Sequence, residues 1–565
     1  MNNMNKNVLA LAVCSLLTAC GGSGGGSGGG AAGGETGGET GGETGGAGTG
    51  PKDYTLSGSV SGLTGTLDLI NTSNQETVSI AGNSFAFSQK LANQAQYDIN
   101  LASAADGQQL CEVIDGSGVV AAASVTDIEI VCRDWAAIAT ILNSGTAEAR
   151  YPKIARVDDA LEVVWFDRQI GAWLFKRAYD AANGWGDASF YASVDGYRAN
   201  GHKVVANSQG ESMVVYKSTR PHYGGEFIYA SNSLDISTSN FTEHGRSYDY
   251  DIDIDDQGHV LLVWVKSDNL VSTEKSVYYK YFDGSWGSEV KLETNTTGDA
   301  KHPVVKFTGN GTAVVAWAFA THPGPGPSAG PIYDGVQVAS FDASKASNKW
   351  TADSSIDTAN GGCAQVVDRS IDIDVTENGT PTVAWMQGNG QCGGAYKQPL
   401  QISKLEQSTW SAPINISGVD TSSSSAKILA LTGNKILAVF NDSIKTFAKT
   451  CDMTTDTCTG ATELAAEFRE IQSLAKDNNN NVMAAWIGGD NAYVNRYDAV
   501  NDSWSVMSKI NNDTVGNAEI AALDGDFVVT WSEYRDLSPS SSLKIVPLSV
   551  ATNRWTVFAK EFKTQ

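Results

Sequence analysis

The densest concentration of reactive side chains lies in Tyr248-Asp-Tyr-Asp-Ile-Asp-Ile-Asp-Asp256. Side chains of an extended strand alternate between faces, so Asp249, Asp251, Asp253 and Asp255 fall on one side. Carboxylates in such a row repel and raise one another's pKa unless a cation or hydrogen-bond donors offset them. A second run, Ile371-Asp-Ile-Asp-Val375, carries Asp372 and Asp374. Registered on Trp264 and Trp385, Asp251 aligns with Asp372 and Asp253 with Asp374. Three chemistries fit this pattern. Hard oxygen ligands suit Ca²⁺, which makes Asp249, Asp251, Asp253, Asp372 and Asp374 candidate metal ligands. Paired carboxylates suit glycoside hydrolysis. The same groups could instead bond backbone amides of a neighbouring element, or meet water in a channel.

All six histidines fall between His202 and His322. His222 sits in Arg220-Pro-His-Tyr-Gly-Gly225, and His322 in Thr321-His-Pro-Gly-Pro-Gly326. Both follow an apolar, aromatic-ended run by five or six residues, so they occupy comparable loops. Glycine- and proline-rich loops are where binding sites commonly form. Arg220, His222, Tyr223 and His322 are therefore candidate ligand-binding residues, and His222 could act as a base toward an acidic sugar. No Ser-His-Asp, Cys-His or His-Glu-x-x-His pattern and no phosphate-binding glycine loop is recognisable.

The cysteines sort by position. Cys14 and Cys20 lie at the N-terminus, and six others form sequence-local couples: Cys111 with Cys132, Cys363 with Cys392, and Cys451 with Cys458. An even count in an exported chain reads as disulfides. Zinc is the rival reading, but the couples lie far apart and no histidine follows at ligand spacing.

Export is legible at the N-terminus. Lys6 precedes an apolar stretch from Val8 to Leu17, far short of the roughly 20 residues needed to span a bilayer. It ends in Leu17-Thr-Ala-Cys20, followed by Gly21, and resembles a bacterial lipobox, in which the cysteine is diacylated and becomes the mature N-terminus. The resemblance implies a leader over 1–19 and a membrane partner bound through lipid on Cys20. Several acyl chains on one cysteine anchor stably, at about 0.8 kcal/mol per buried methylene. In lipoproteins of enteric type Asp after the cysteine favours the inner membrane, so Gly21 implies the outer one, with the chain facing the periplasm or the cell surface. Residues 20–50 are nearly all glycine and serine with a thrice-repeated Gly-Gly-Glu-Thr. Such a segment cannot bury enough apolar area to order itself, and its root-mean-square span is about 30 Å.

The formal net charge is −24, with an isoelectric point near 4.6 and no Lys/Arg cluster. Nucleic-acid binding needs a basic patch for phosphates, so that class is excluded.

The elements that must position these residues are strands, and the expected fold is all-β. Residues 51–133 alternate apolar and polar residues between closely spaced turn signals, as in Thr66-Leu-Asp-Leu-Ile70 and Ile128-Glu-Ile-Val-Cys132. That pattern predicts a small β-sandwich. It resembles immunoglobulin-like and prealbumin-like modules, with Cys111 and Cys132 stapling the last strands.

All fourteen tryptophans lie between Trp135 and Trp555. There an apolar run ending in an aromatic recurs at Trp165, Tyr216, Trp264, Trp317, Trp385, Phe440, Trp486 and Trp531, at intervals of 51, 48, 53, 68, 55, 46 and 45 residues. In several repeats a further run ends in Tyr or Phe plus Asp and leads to another tryptophan, as in Tyr179-Asp180 to Trp185. About four strands per repeat of this length is the requirement of a β-propeller blade. Residues 134–565 are thus expected to form a propeller of eight blades, with seven as the alternative. Trp135 and Trp555 each begin a strand of the tryptophan-led type, one of them closing the ring. The units resemble kelch and sialidase-type blades, with Asn495-Arg-Tyr-Asp498 through Trp504 nearest to kelch. The sialidase Asp-box is absent and no arginine triad can be placed, so the resemblance implies architecture and no activity.

Two functions follow. The first is a non-catalytic surface or periplasm-facing lipoprotein whose propeller binds a protein or polysaccharide. The second is a carbohydrate-active enzyme, a glycoside hydrolase using the acidic strands or a lyase using His222, as in propeller polysaccharide lyases.

Overall fold

The computed structural model describes residues 53–562 apart from 103–108, 135–139, 144–148, 168–171, 195–197, 220–225, 233–238, 241–246, 268–273, 294–298, 323–331, 347–348, 352–353, 358–364, 368–369, 389–397, 418–424, 443, 467–469, 512–513 and 537–552. The expected leader, Cys20 and the glycine-rich segment lie outside this range. Every element among the described residues is a strand or a turn, and no helix is long and apolar enough to cross a membrane.

From Asp53 to Asp134 two four-stranded sheets face each other. One contains Ser84–Ala86, Leu56–Ser61, Val125–Asp134 and Gln109–Ile114; the other contains Glu76–Ile80, Leu67–Asn71, Gln96–Leu101 and Ser117–Val119. Period-two alternation puts Leu56, Val60, Ile128 and Ile130 of the first against Leu67, Leu69, Ile80 and Ile99 of the second. This is the expected sandwich. Cys111 and Cys132 are directly opposed on adjacent strands and form a disulfide.

Among the described residues eight further antiparallel sheets follow in chain order. The third is representative: Ser247–Ile254, Val260–Ser267, Lys275–Phe282 and the short Val290–Lys291 pair in sequence. Each recurrent aromatic, from Trp165 to Trp531, sits on the second strand of its own sheet and is essentially inaccessible. Those strands read as unbroken apolar runs because both their faces pack on adjoining sheets; Val260 to Val265 are all buried.

The innermost strands are Ala149–Val157, Arg198–Ala206, Ser247–Ile254, Asp299–Gly309, Asp372–Val375, Ala426–Leu431, Glu470–Lys476 and Thr514–Leu523. Each packs beside the next, and the eighth packs beside the first. This closed succession is a β-propeller. One signature left unexplained by the sequence now has a cause. The Asp that ends a third strand caps the following turn: Asp180 Oδ1 accepts the amides of Ala182 and Asn183 at 2.7 and 3.1 Å, and Asp498 Oδ1 those of Val500 and Asn501 at 2.8 and 3.2 Å.

Closure differs from expectation in one respect. The eighth sheet takes Thr514–Leu523, Asp526–Asp536 and Asn553–Phe562 from the C-terminus and Thr140–Ile141 from the N-terminal side as its outer strand. The strand containing Trp555 is therefore the third of its sheet, not a tryptophan-led fourth, and both chain ends serve one sheet. Leu142 continues the seam: its amide bonds Val557 O at 2.9 Å and its side chain is buried beside Leu161, Leu523 and Val557. Leu142→Ala is expected to cost about 2–3 kcal/mol, read as a lowered urea midpoint, whereas a change below about 0.5 kcal/mol would place closure elsewhere.

Candidate functional site

An innermost strand is a sheet edge, and alternate backbone amides along it lack a partner within the sheet. The acidic run serves those amides on the neighbouring sheet. Asp251 Oδ2 accepts the amide of Val305 at 3.0 Å, Asp253 Oδ2 that of Phe307 at 2.7 Å, and Asp255 Oδ2 that of Gly311 at 2.7 Å. The fifth and sixth sheets repeat the device: Asp372 Oδ2 accepts from Ile428 at 2.9 Å, Asp374 Oδ2 from Ala430 at 2.7 Å, and Glu377 Oε2 from Gly433 at 2.9 Å. The two-residue spacing of the aspartates matches the two-residue spacing of unpaired amides on an edge.

The second oxygens meet cations. Lys203 Nζ lies 2.6 Å from Asp251, Lys306 Nζ 3.8 Å from Asp253, and Lys427 Nζ 3.4 Å from Asp372, while Lys153 pairs with Glu519. Asp249 holds His302 Nδ1 at 3.1 Å. Asp255 is almost wholly buried, accepting the amides of Gln257 and His259 and facing His259 Nδ1 at 2.9 Å. Along the channel wall each of these lysines faces a carboxylate of an adjoining sheet.

Burial pushes the Asp253 carboxyl up; Lys306 and the Phe307 amide pull it down without cancelling the effect. Asp372 is likewise raised by burial, against Lys427 and the Ile428 amide. Lys306 is held above the usual lysine range chiefly by Asp253, and Lys427 chiefly by Asp372. Desolvation therefore costs Asp253 and Asp372 more than their partners return, while Lys306 and Lys427 depend on those acids.

Two of the chemistries expected from the sequence find their candidate carboxylates already engaged. Asp249, Asp251, Asp253, Asp372 and Asp374 do not converge as a cation cage: their oxygens are directed at amides, lysines and a histidine, and among the described residues no group of three or more His, Cys, Asp or Glu could hold a metal. Asp251, Asp253, Asp372 and Asp374, the candidates for a general acid and base, each accept a backbone amide of the neighbouring sheet.

Arg220, His222 and Tyr223 lie outside the described residues. His322 ends the second strand of the fourth sheet. The segments after Thr219 and after His322 both connect a second strand to a third, so they leave from the same rim. Cys451 and Cys458 face each other on paired strands and form a disulfide. Cys363 and Cys392 lie outside the described residues.

Sequence reading missed the lysines of the wall, although a signal existed. Lys203 and Lys427 stand thirteen residues before their repeat aromatics, as do Asp251 and Asp372, and Lys306 stands eleven before Trp317, as Asp253 and Asp374 stand eleven before theirs. The pairing of Asp249 with His302 carried no such signal.

No family model matches the chain, and no curated protein matches it. Solved structures do. A polysaccharide lyase matches at 10% identity over 73% of this chain and 90% of its own, with a TM-score of 0.42. The β-propeller domain of the trilobed protease from Pyrococcus furiosus matches at 9% identity over 65% and 98%, with a TM-score of 0.38. The GH93 α-L-arabinofuranosidase of Fusarium graminearum matches at 13% identity over 54% and 91%, with a TM-score of 0.32. At these identities and TM-scores no activity passes across the likeness.

Proposed function

We propose that the chain is an exported lipoprotein, held by lipid on Cys20 at the outer membrane, whose propeller is a binding scaffold for a protein or polysaccharide. The observation that carries this reading is the commitment of the wall carboxylates to bracing one sheet against the next. The acids that sequence spacing offered to catalysis stiffen the ring instead, and a stiff ring is what presents loops at fixed separations. Ligand recognition then falls to the rim from which the Arg220–Tyr223 segment and the segment after His322 leave. The lipobox and the glycine-rich residues 20–50 support a head held off the membrane, and the Cys111–Cys132 and Cys451–Cys458 bridges suit an oxidising compartment.

The test uses the full chain with Cys20→Ser, screened for binding against immobilised glycans and envelope proteins and for release of new reducing ends or unsaturated products. Binding without turnover, weakened by His222→Ala, is the expected result. Products that disappear in His222→Ala would replace the scaffold with an enzyme. A chain that stays attached to membranes in the Cys20→Ser form would remove the lipid anchor.

A further inference from the structure

One position closes the seam to the next sheet in the third, fifth, seventh and eighth sheets; the first, second and fourth have Ala178, Asn232 and Ser340 there. It lies on the third strand, opposite the residue three before the repeat aromatic, and where it closes a seam its side chain reaches into the next sheet. In the third sheet it is Tyr281, opposite Leu261, whose ring packs 5.1 Å from Phe341. In the fifth it is Lys404, 2.8 Å from Asp456 of the sixth. In the seventh it is Arg496, over the Phe562 ring at 5.7 Å; in the eighth it is Glu561, which accepts from the Trp185 indole at 2.9 Å.

The sixth sheet has Thr450 there, opposite Leu437. The neighbouring Ala448 stands where the third sheet has Tyr279, whose ring lies 5.0 Å from Trp350. The facing aromatics are nevertheless in place: Tyr497 and Trp504 of the seventh sheet correspond to Phe341 and Trp350. Relative to the third seam, two rings' worth of volume is missing here. In its place are two cavities of about 290 and 320 Å³, both lined by Thr450, Thr459, Tyr497 and Asp502. Through Thr462 and Trp504 the first meets a wider cleft of about 680 Å³ that reaches the sandwich strands around Asp98 and Asp115.

We propose that this lateral groove binds an uncharged oligosaccharide, at a site separate from the rim. Its walls combine the half-buried Trp504 and the edge of the buried Tyr497 with threonine hydroxyls, and Asp502 accepts the Tyr497 hydroxyl at 2.7 Å. Aromatic surface beside hydroxyls and carboxylates matches a sugar ring, apolar on its faces and hydroxylated at its edge. Charge narrows the class: five carboxylates line the three cavities against two lysines, so an anionic chain is disfavoured.

The decisive variant is Thr450→Tyr, which restores the side chain that closes the third seam. The full chain with Cys20→Ser is titrated by calorimetry with linear gluco-, manno- and xylo-oligosaccharides and with oligogalacturonate as the anionic comparator. At least one neutral series should bind, and Thr450→Tyr should weaken it by about tenfold or more while the melting temperature holds or rises. Thr459→Trp, at an exposed position on the same groove, should give the same loss and serves if Thr450→Tyr does not fold. His222→Ala should leave this binding intact, which separates the groove from the rim proposal. The inference is overturned if no neutral series binds, if only the anionic comparator binds, or if binding survives both groove substitutions.

Discussion

Replacing Asp251 and Asp253 together by alanine is expected to destabilise the chain by about 4 kcal/mol. Two terms contribute. The amides of Val305 and Phe307 lose their acceptors in a partly buried seam, at about 1–3 kcal/mol each when water cannot fully substitute. Lys203 and Lys306 lose the carboxylates they face, a smaller loss because both remain substantially exposed to channel water. Burial raises the Asp253 carboxyl, so its charge is held against a desolvation cost. The penalty comes from what its removal leaves behind. The isosteric pair Asp251→Asn/Asp253→Asn keeps a carbonyl oxygen for each amide but removes the charge, so it should lie between wild type and the alanine pair. Urea unfolding of the three proteins measures both terms. An asparagine pair as damaging as the alanine pair would make the lysines, not the amides, the dominant partners. The same proteins test the cation reading: calcium and EDTA should leave the wild-type midpoint unmoved. A calcium-dependent rise abolished by Asp251→Asn would restore a metal site.

The second large effect is a pair of opposed pH dependences hidden in the wild type. His202 is buried, its Nε2 2.9 Å from Val164 O and its ring against Phe166, and burial lowers its pKa to about 3. Lys153 nearby pushes in the same direction, while the Val164 carbonyl opposes it. The unfolded chain binds a proton here below pH of about 6.5 while the folded chain does not, so stability is complete above that pH and falls by about 3 kcal/mol on reaching pH 4. Asp167 does the reverse. Burial raises it to about 6, with Trp165 pulling the other way. Its contribution is complete below the ordinary carboxylate range and falls by up to about 3 kcal/mol as pH rises through 6. Between pH 4 and 6 the two nearly cancel. His202→Gln should therefore become relatively more stable toward acid, and Asp167→Asn relatively less, when each is compared with wild type by thermal unfolding from pH 4 to 7. Parallel curves for all three proteins would show that neither group titrates between the folded and unfolded states.

Much of the architecture was legible because burial writes itself into side-chain type. A strand packed on both faces must be apolar throughout, and eight such runs ending in Trp, Tyr or Phe marked eight sheets. The sandwich was legible from its one-sided alternation. The closing sheet was not, because Thr140–Ile141 and Asn553–Phe562 lie more than 400 residues apart in the chain and pair through backbone groups that any sequence supplies. At the candidate site, the row of aspartates was legible as a row. Bonding to amides of a neighbouring element was one of the three readings it allowed, and spacing could not choose among them. A carboxylate spaced for a cation is spaced equally well for a line of amides, since both readings use the period of a strand.

The sequence alone determined that the chain is all-β, that its repeats carry one buried aromatic each, and that Cys111 with Cys132 and Cys451 with Cys458 lie close enough to bridge. These follow from local period and separation along the chain. Only the tertiary structure decided what Asp251, Asp253, Asp372 and Asp374 hold, that Lys203, Lys306 and Lys427 answer them, and that Thr450 leaves one seam open where Tyr281 fills another. In each case the deciding partner lies on the next sheet, roughly fifty residues away in a repeat of this length. Which groups meet there depends on how one sheet is turned against its neighbour, and no spacing within a single repeat contains that rotation.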